Sequence, residues 1–285
     1  MVRSDEDRAR TNILLIFAGV LVLLASVAIA AGATLFRARP DPASESPAQV
    51  TRTFVWDGGE RLSVGVPGEV RYVPGPDNKV TVTGPQRVVD RMTVRHGAIV
   101  FDPWSGRWFG HLFVGGRWPE DGVRIVVTTP RLSDVDVGGA ARLELGRLEQ
   151  DRLTLGVSGA GRADLSGAIG ALDVRVSGAG GATLNGLKTE RMGATMSGAG
   201  WLRASGDCED LRLQGSGAAH AELGQVGLQD LDADLSGGSS AVLGPRRSAK
   251  VSVSGGAHVR LLIQPPHLQV HRSGGGSVAG PQGWL

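Results

Sequence analysis

Leu153-Thr-Leu-Gly-Val-Ser-Gly-Ala-Gly-Arg-Ala-Asp-Leu-Ser-Gly167 is the stretch on which the fold turns. Its apolar residues alternate with small or polar ones on both sides of a Ser-Gly-Ala-Gly tetrapeptide, the period of two that puts successive side chains on opposite faces of a strand. The tetrapeptide starts again at Ser177 and Ser197, and degenerate copies start at Ser216, Ser236, Ser254 and Ser273, with one lacking the serine at Gly138. Successive starts are 20, 19, 20, 19, 20, 18 and 19 residues apart. That spacing is too regular for chance and too short for a pair of helices per unit.

Laid in register, the copies place Leu153, Leu155 and Val157, then Leu172, Val174 and Val176, then Met192, Ala194 and Met196 before the turn. Ala163 and Leu165, Ala182 and Leu184, Ala221 and Leu223, and Ala241 and Leu243 follow it. Thr154, Asp173, Arg212, Asp232 and Lys250 lie between inward positions. Each unit reads as strand, glycine turn, strand, then a second turn often marked by glycine, as at Gly167, Gly186 and Gly206. One unit cannot bury its apolar face alone, so the copies must stack in parallel. The expected fold is all-β, a single-stranded parallel β-helix (solenoid) with coils of about 19–20 residues. The glycine after each serine, from Gly159 to Gly274, is expected to supply a positive φ or a close approach between coils.

Upstream, 62–66, 70–73, 80–83, 92–95, 98–101 and 123–127 also read as strands, less regularly spaced. Residues 51–128 are therefore expected to form irregular first coils or a cap, and 129–285 the repeats, in one β-helix domain over 51–285. Trp284-Leu285 is expected to fold over the last open edge, which must be protected from strand addition.

Residues 1–12 read as a short N-terminal tail. Thr11 to Phe36 carries no charge, and 13–36 is apolar or small throughout. At about 1.5 Å per residue that length crosses a membrane, so one N-terminal transmembrane helix is expected. Ala28-Ile-Ala30 also fits a signal-peptide cleavage site, although the apolar run exceeds the usual length. The proline-containing stretch 37–50 reads as an extended linker. The expected location is the cell (inner) membrane, single-pass, with the main domain periplasmic or extracellular. The partners that follow are the membrane, through residues 13–36, and a glycan or another envelope protein.

Net charge is +2, with no basic stripe and no aromatic RNA-binding motif, so nucleic acid is not an expected partner. The one cysteine, Cys208, excludes an internal disulfide framework and a multi-cysteine zinc site, and reads as a small buried apolar residue. No cofactor or metal is expected. His220 and His258 share a ladder position, but Ser240 lies between them, too far for joint ligation.

The stretch 101–118 holds six of the chain's thirteen aromatic residues. Trp104, Trp108, Phe109 and Trp118, with Arg107 and Arg117, suit a glycan- or partner-binding platform. The competing reading is a hydrophobic lid over the first coil, the commoner fate of aromatic area. Glu144 and Asp164 share an outward position in adjacent coils, as a glycosidase pair or a cation site would require. Arg142 and Arg162 beside them favour a salt-bridged surface grid.

The segments Val70–Gly84, Gly97–Pro103 and Ile125–Ala141, together with the Ser-Gly-Ala-Gly copies, resemble the family described as putative auto-transporter adhesin, head GIN domain. Gly65-Val66-Pro67 stands nearest to a Gly-Ile-Asn tripeptide. The resemblance covers nearly everything after residue 50 and implies an exported β-helix with no established chemistry. The function expected is a non-catalytic, membrane-anchored envelope protein that displays a β-helix for adhesion, scaffolding or ligand contact. The alternatives are a polysaccharide-active β-helix enzyme, which needs a groove of converging acidic side chains, and a membrane-tethered regulatory binding domain.

Overall fold

Alternation along 141–145 and again along 153–157 buries Ala141, Leu143, Leu145, Leu153, Leu155 and Val157 within one unbroken strand that spans the corner between them. The computed structural model describes residues 48–101 and 122–284. The expected transmembrane helix, nearly all of the linker and the aromatic stretch from residue 102 onward lie outside the described residues. Among the described residues no helix is long and apolar enough to cross a membrane.

The chain runs β1 (Gln49–Val55), β2 (Arg61–Val64), β3 (Gly68–Pro74), β4 (Lys79–Pro85), a one-turn α1 (Gln86–Val89), β5 (Met92–Arg95), β6 (Ala98–Phe101), β7 (Arg124–Thr129) and β8 (Asp134–Val137). Five long strands follow: β9 (Ala141–Val157), β10 (Arg162–Gly178), β11 (Gly181–Gly198), β12 (Trp201–Gly215) and β13 (His220–Leu235). Shorter strands complete it: β14 (Ser240–Leu243), β15 (Pro245–Val253), β16 (His258–Leu261), β17 (His267–Arg272), β18 (Ser277–Gly280) and β19 (Gly283–Trp284). The result is an all-β solenoid of about seven turns. β1 begins at Gln49, inside the stretch read as linker, because Gln49 already pairs with Pro85 of β4.

The inward residues form ladders. One runs Val70, Leu143, Ala163, Ala182, Leu202, Ala221, Ala241, Val259 and Val278, another Leu153, Leu172, Met192, Leu211, Leu231, Ala249 and Leu268. Of these all but Leu268 are buried, and each fully buried Leu or Val contributes about 1.5–3 kcal/mol. Leucine, valine and alanine intermingle along the first ladder.

The turn glycines do two things at once. From Gly159 to Gly274 the seven have φ between 66° and 92°. A Cβ on any of them would also lie 2.6–3.2 Å from the carbonyl oxygen of the turn glycine in the preceding coil. Only glycine meets both conditions.

At the other corner the expected second turn is replaced by a bulge within a continuous strand. The register shift explains why coils of 20 and 19 residues alternate. Between Leu145 and Leu148 the longer coil inserts two residues, where the next coil has only Ser166 between Leu165 and Gly167. In two of the three 20-residue coils the added residue takes a left-handed backbone, Arg147 at φ 57° and Gly186 at φ 59°. Its N–H is received by a serine hydroxyl of the following coil, Arg147 N to Ser166 Oγ at 3.2 Å and Gly186 N to Ser205 Oγ at 3.1 Å. The structural repeat is therefore a pair of coils.

Stacking order departs from chain order at the N-terminal end. β2 and β3 form a coil whose strands pair with β8 and β9 on one side and with β6 and β7 on the other, all in parallel. The chain thus lays one coil, builds the next outside it, then crosses back. Antiparallel strands cover the outer coil, β4 on β7, β1 on β4 and β5 on β6. At the far end β19 pairs antiparallel with β18, closing that edge, while β17 pairs with β15.

Candidate functional site

Parallel stacking turns outward residues of successive coils into columns whose members are about 4.8 Å apart, so any site on the long strands is a patch of such columns. One column reads Arg124, Glu69, Arg142, Arg162, Gly181, Trp201, His220, Ser240, His258 and Ser277. Two residues along each strand, the next begins Val126, Arg71, Glu144, Asp164, Thr183, Arg203 and Glu222.

Glu144 and Asp164 stand opposite each other in adjacent coils. They line a depression with Glu69, Arg71, Arg124 and Arg142. Arg71 donates to Glu144 from Nη2 at 2.7 Å, and Arg142 donates to Asp164 from Nε at 3.2 Å. Each of these two carboxylates is therefore held by an arginine. Both pairs are solvent-exposed, so their contribution to stability is about 0–1 kcal/mol each. Arg212, Asp232 and Lys250 form an alternating-charge column on the other outward face.

A second cluster, which the sequence reading did not single out as a unit, lies further along the same two columns. Trp201 rests over Gly181, and the Arg203 guanidinium carbon lies 5.4 Å from its ring centroid. Arg203 also holds Glu222, whose other oxygen is 3.2 Å from His220 Nε2, and His220 Nδ1 is 2.7 Å from Ser240 Oγ. The hydrogen bonds from Arg203 and His220 hold the Glu222 carboxyl below the usual range. The available signal was the register: Trp201 immediately follows the third Ser-Gly-Ala-Gly and so falls in the column of Arg162 and His220.

His220 and His258 occupy one column with Ser240 between them, and His258 Nδ1 bonds Ser277 Oγ in the coil beyond. Among the described residues no group of three His, Cys, Asp or Glu side chains is placed to hold a metal. Trp104, Trp108, Phe109 and Trp118 lie outside the described residues.

Cys208 points inward, and burial pushes its thiol up to about 12, so the nucleophilic thiolate is absent near neutrality. Native protein at about pH 8 should therefore resist Ellman's reagent and release one thiol per chain only after unfolding, whereas fast native labelling would contradict this packing.

Asp230 accepts hydrogen bonds from Arg247 and from Ser248 Oγ, the latter at 2.6 Å, which together hold its carboxyl down to about 2. A depressed folded-state pKa contributes stability above the unfolded value, 3.8, and that contribution is lost as pH falls from there towards about 2. Asp230→Asn should flatten the acid limb of melting temperature against pH over that window. An unchanged limb would mean that the Arg247 contact does not persist in solution.

A family model described as putative auto-transporter adhesin, head GIN domain, matches residues 60–265. The fold is shared with several crystal structures. One is a putative lipid binding protein from Parabacteroides distasonis, 11% identical, TM-score 0.70, covering 81% of this chain and 96% of that one. Another is a putative adhesin from Parabacteroides merdae, 15% identical, TM-score 0.68, covering 81% and 95%. A putative adhesin from Parabacteroides distasonis is 16% identical, TM-score 0.65, covering 82% and 97%. No curated protein sequence matches the chain.

Proposed function

Since the chain belongs to the putative auto-transporter adhesin, head GIN domain family, we propose that it is a non-catalytic binding protein of the cell envelope. Its β-solenoid is displayed outside the inner membrane, anchored by a helix over residues 13–36, and contacts a glycan or another envelope protein. The observation that carries this reading is the state of the stacked carboxylates. Glu144 and Asp164, the pair best placed for acid–base work, are each tied to an arginine on an open face. Glycoside cleavage needs one carboxyl free to give a proton and the other free to attack or to activate water. A stiff ladder of side chains at fixed spacing is instead suited to contact, because little ordering entropy is lost on binding.

The test is binding of the full-length chain, in detergent micelles, to a panel of envelope glycans and membrane-protein extracts. Product analysis runs in parallel, beside a Trp104→Ala/Trp108→Ala variant. Saturable binding with the glycan recovered intact is the expected result. Cleavage products, or no bound component at all, would count against it. Loss of binding in a folded double variant would assign the contact to the aromatic stretch, and retention would assign it to the solenoid faces. Anchoring is checked separately by protease treatment of spheroplasts, which should digest the solenoid while leaving the membrane segment in the pellet.

A further inference from the structure

We infer that Trp201 and the side chains around it form a binding site for an acidic saccharide, with a pyranose ring on the indole and its carboxylate on Arg162. The inference rests on the binding role proposed above and gives it a place and a ligand chemistry. Trp201 opens β12 in the column that holds Arg162 in β10, Gly181 in β11 and His220 in β13. A Cβ on Gly181 would lie 2.4 Å from Cδ2 and 2.5 Å from Cε2 of the indole. The ring therefore lies back along the sheet, over the preceding coil, instead of standing away from it. An apolar surface set flush into a polar face is what the C–H face of a sugar ring stacks on.

Covering a glycine does not by itself call for an indole. Asp136, Asp173 and Asp207 cover the outward glycines Gly156, Gly193 and Gly227 in the same way, with a carboxylate oxygen 2.2–2.6 Å from where the Cβ would be. Trp201 puts far more apolar area at such a position than the gap requires. It is also the one aromatic side chain on the outward face of the long strands among the described residues. Trp56 and Tyr72 are buried, and Phe54 and Phe101 pack against the core.

The polar fringe suits a saccharide as well. Arg203, Glu222, His220 and Ser240 form a hydrogen-bonded chain beside the ring, supplying donors and acceptors for hydroxyl groups. The Arg203 guanidinium carbon lies over the ring at 5.4 Å from its centroid, within cation–π range, so a sugar settling there takes the place of that contact. Within this patch Arg203 is balanced by Glu222, and Asp164 is taken by Arg142. Arg162 is left with no side-chain partner among the described residues. Its strand is two rungs, about 9.6 Å, from that of Trp201, and the indole reaches back across the rung between them. An acidic substituent on a stacked sugar comes within reach of that guanidinium, which matches a carboxylate with two parallel hydrogen bonds.

The experiment is calorimetric titration of the full-length chain in detergent micelles with two probes, tetragalacturonate and a hyaluronan tetrasaccharide, each beside its methyl ester. At least one acid should bind, more tightly than its ester. Trp201→Ala should weaken it about tenfold or more, and Trp201→Tyr should restore most of the loss. Arg162→Gln should reduce the acid to the affinity of the ester and leave the ester unchanged, with an unaltered melting temperature as the fold control. Acid bound equally well by Trp201→Ala and Arg162→Gln would overturn the site while leaving a glycan-binding role standing. Neither acid bound by the wild-type chain would overturn the ligand class. Capture of another component from the envelope panel would then show that the broader binding role survives without it.

Discussion

Replacing Gly178 with alanine is expected to lower the free energy of unfolding by about 3–5 kcal/mol, the sum of left-handed backbone strain and a clash that cannot relax. Gly178 has φ 92°, and a Cβ there would lie 2.6 Å from the carbonyl oxygen and 2.9 Å from the nitrogen of Gly159. Those are backbone atoms of the neighbouring coil, held by Ala179 N and Gly180 N donating to that same oxygen. Relief of the clash would force adjacent rungs of the solenoid apart. Gly186→Ala is the control. Its φ is 59°, but no atom lies within 4 Å of its Cβ position, so only the backbone term of about 1–2 kcal/mol applies. Denaturant unfolding followed by circular dichroism compares them, and equal losses would show that inter-coil contact adds nothing to the glycine requirement.

The second large effect is expected at Leu184→Ala, with a loss of about 3–5 kcal/mol. Leu184 is fully buried and stands in a ladder between Leu165 and Ala204. Truncation would leave alanines in two consecutive rungs, and the main chain around them is fixed by ladders on both sides, so the cavity has little room to collapse. In a solenoid each coil touches only its neighbours, so the damage should be local and should split or broaden the unfolding transition. Val55→Ala, at a position 80% exposed on β1, should change stability by less than about 0.5 kcal/mol. A loss at Leu184 as small as that at Val55 would mean that these rungs do not carry the core.

Much of the architecture was legible because its signals are local. The inward residues from Leu153 to Leu243 read off the repeat are all buried in the structure. The glycines after each serine carry the positive φ and the close approach expected of them. The bulge corner was only half legible. Gly167, Gly186 and Gly206 marked its place, but Arg147 holds the same left-handed position as Gly186, and nothing in an arginine announces that conformation. What fixes it is Ser166, one coil away, receiving its N–H.

The candidate site was less legible than the fold. The Glu144–Asp164 pairing followed from register, but the arginine that occupies Glu144 is Arg71, from a strand 73 residues earlier. The Trp201 cluster draws on β10, β11, β12, β13 and β14, so no single repeat contains it.

The sequence alone determined the coil, its inward and outward faces and its glycine turn. Each is set by residues adjacent in the chain, through the two-residue period of a strand and the conformational freedom of glycine. Only the tertiary structure decided that the coil containing β6 and β7 lies outside the one containing β2 and β3, that 20- and 19-residue coils interlock in pairs, and which side chains meet on the outer columns. Those outcomes depend on which strand edge is open when another arrives and on the register in which their hydrogen bonds close, and such pairings are not written in any one segment.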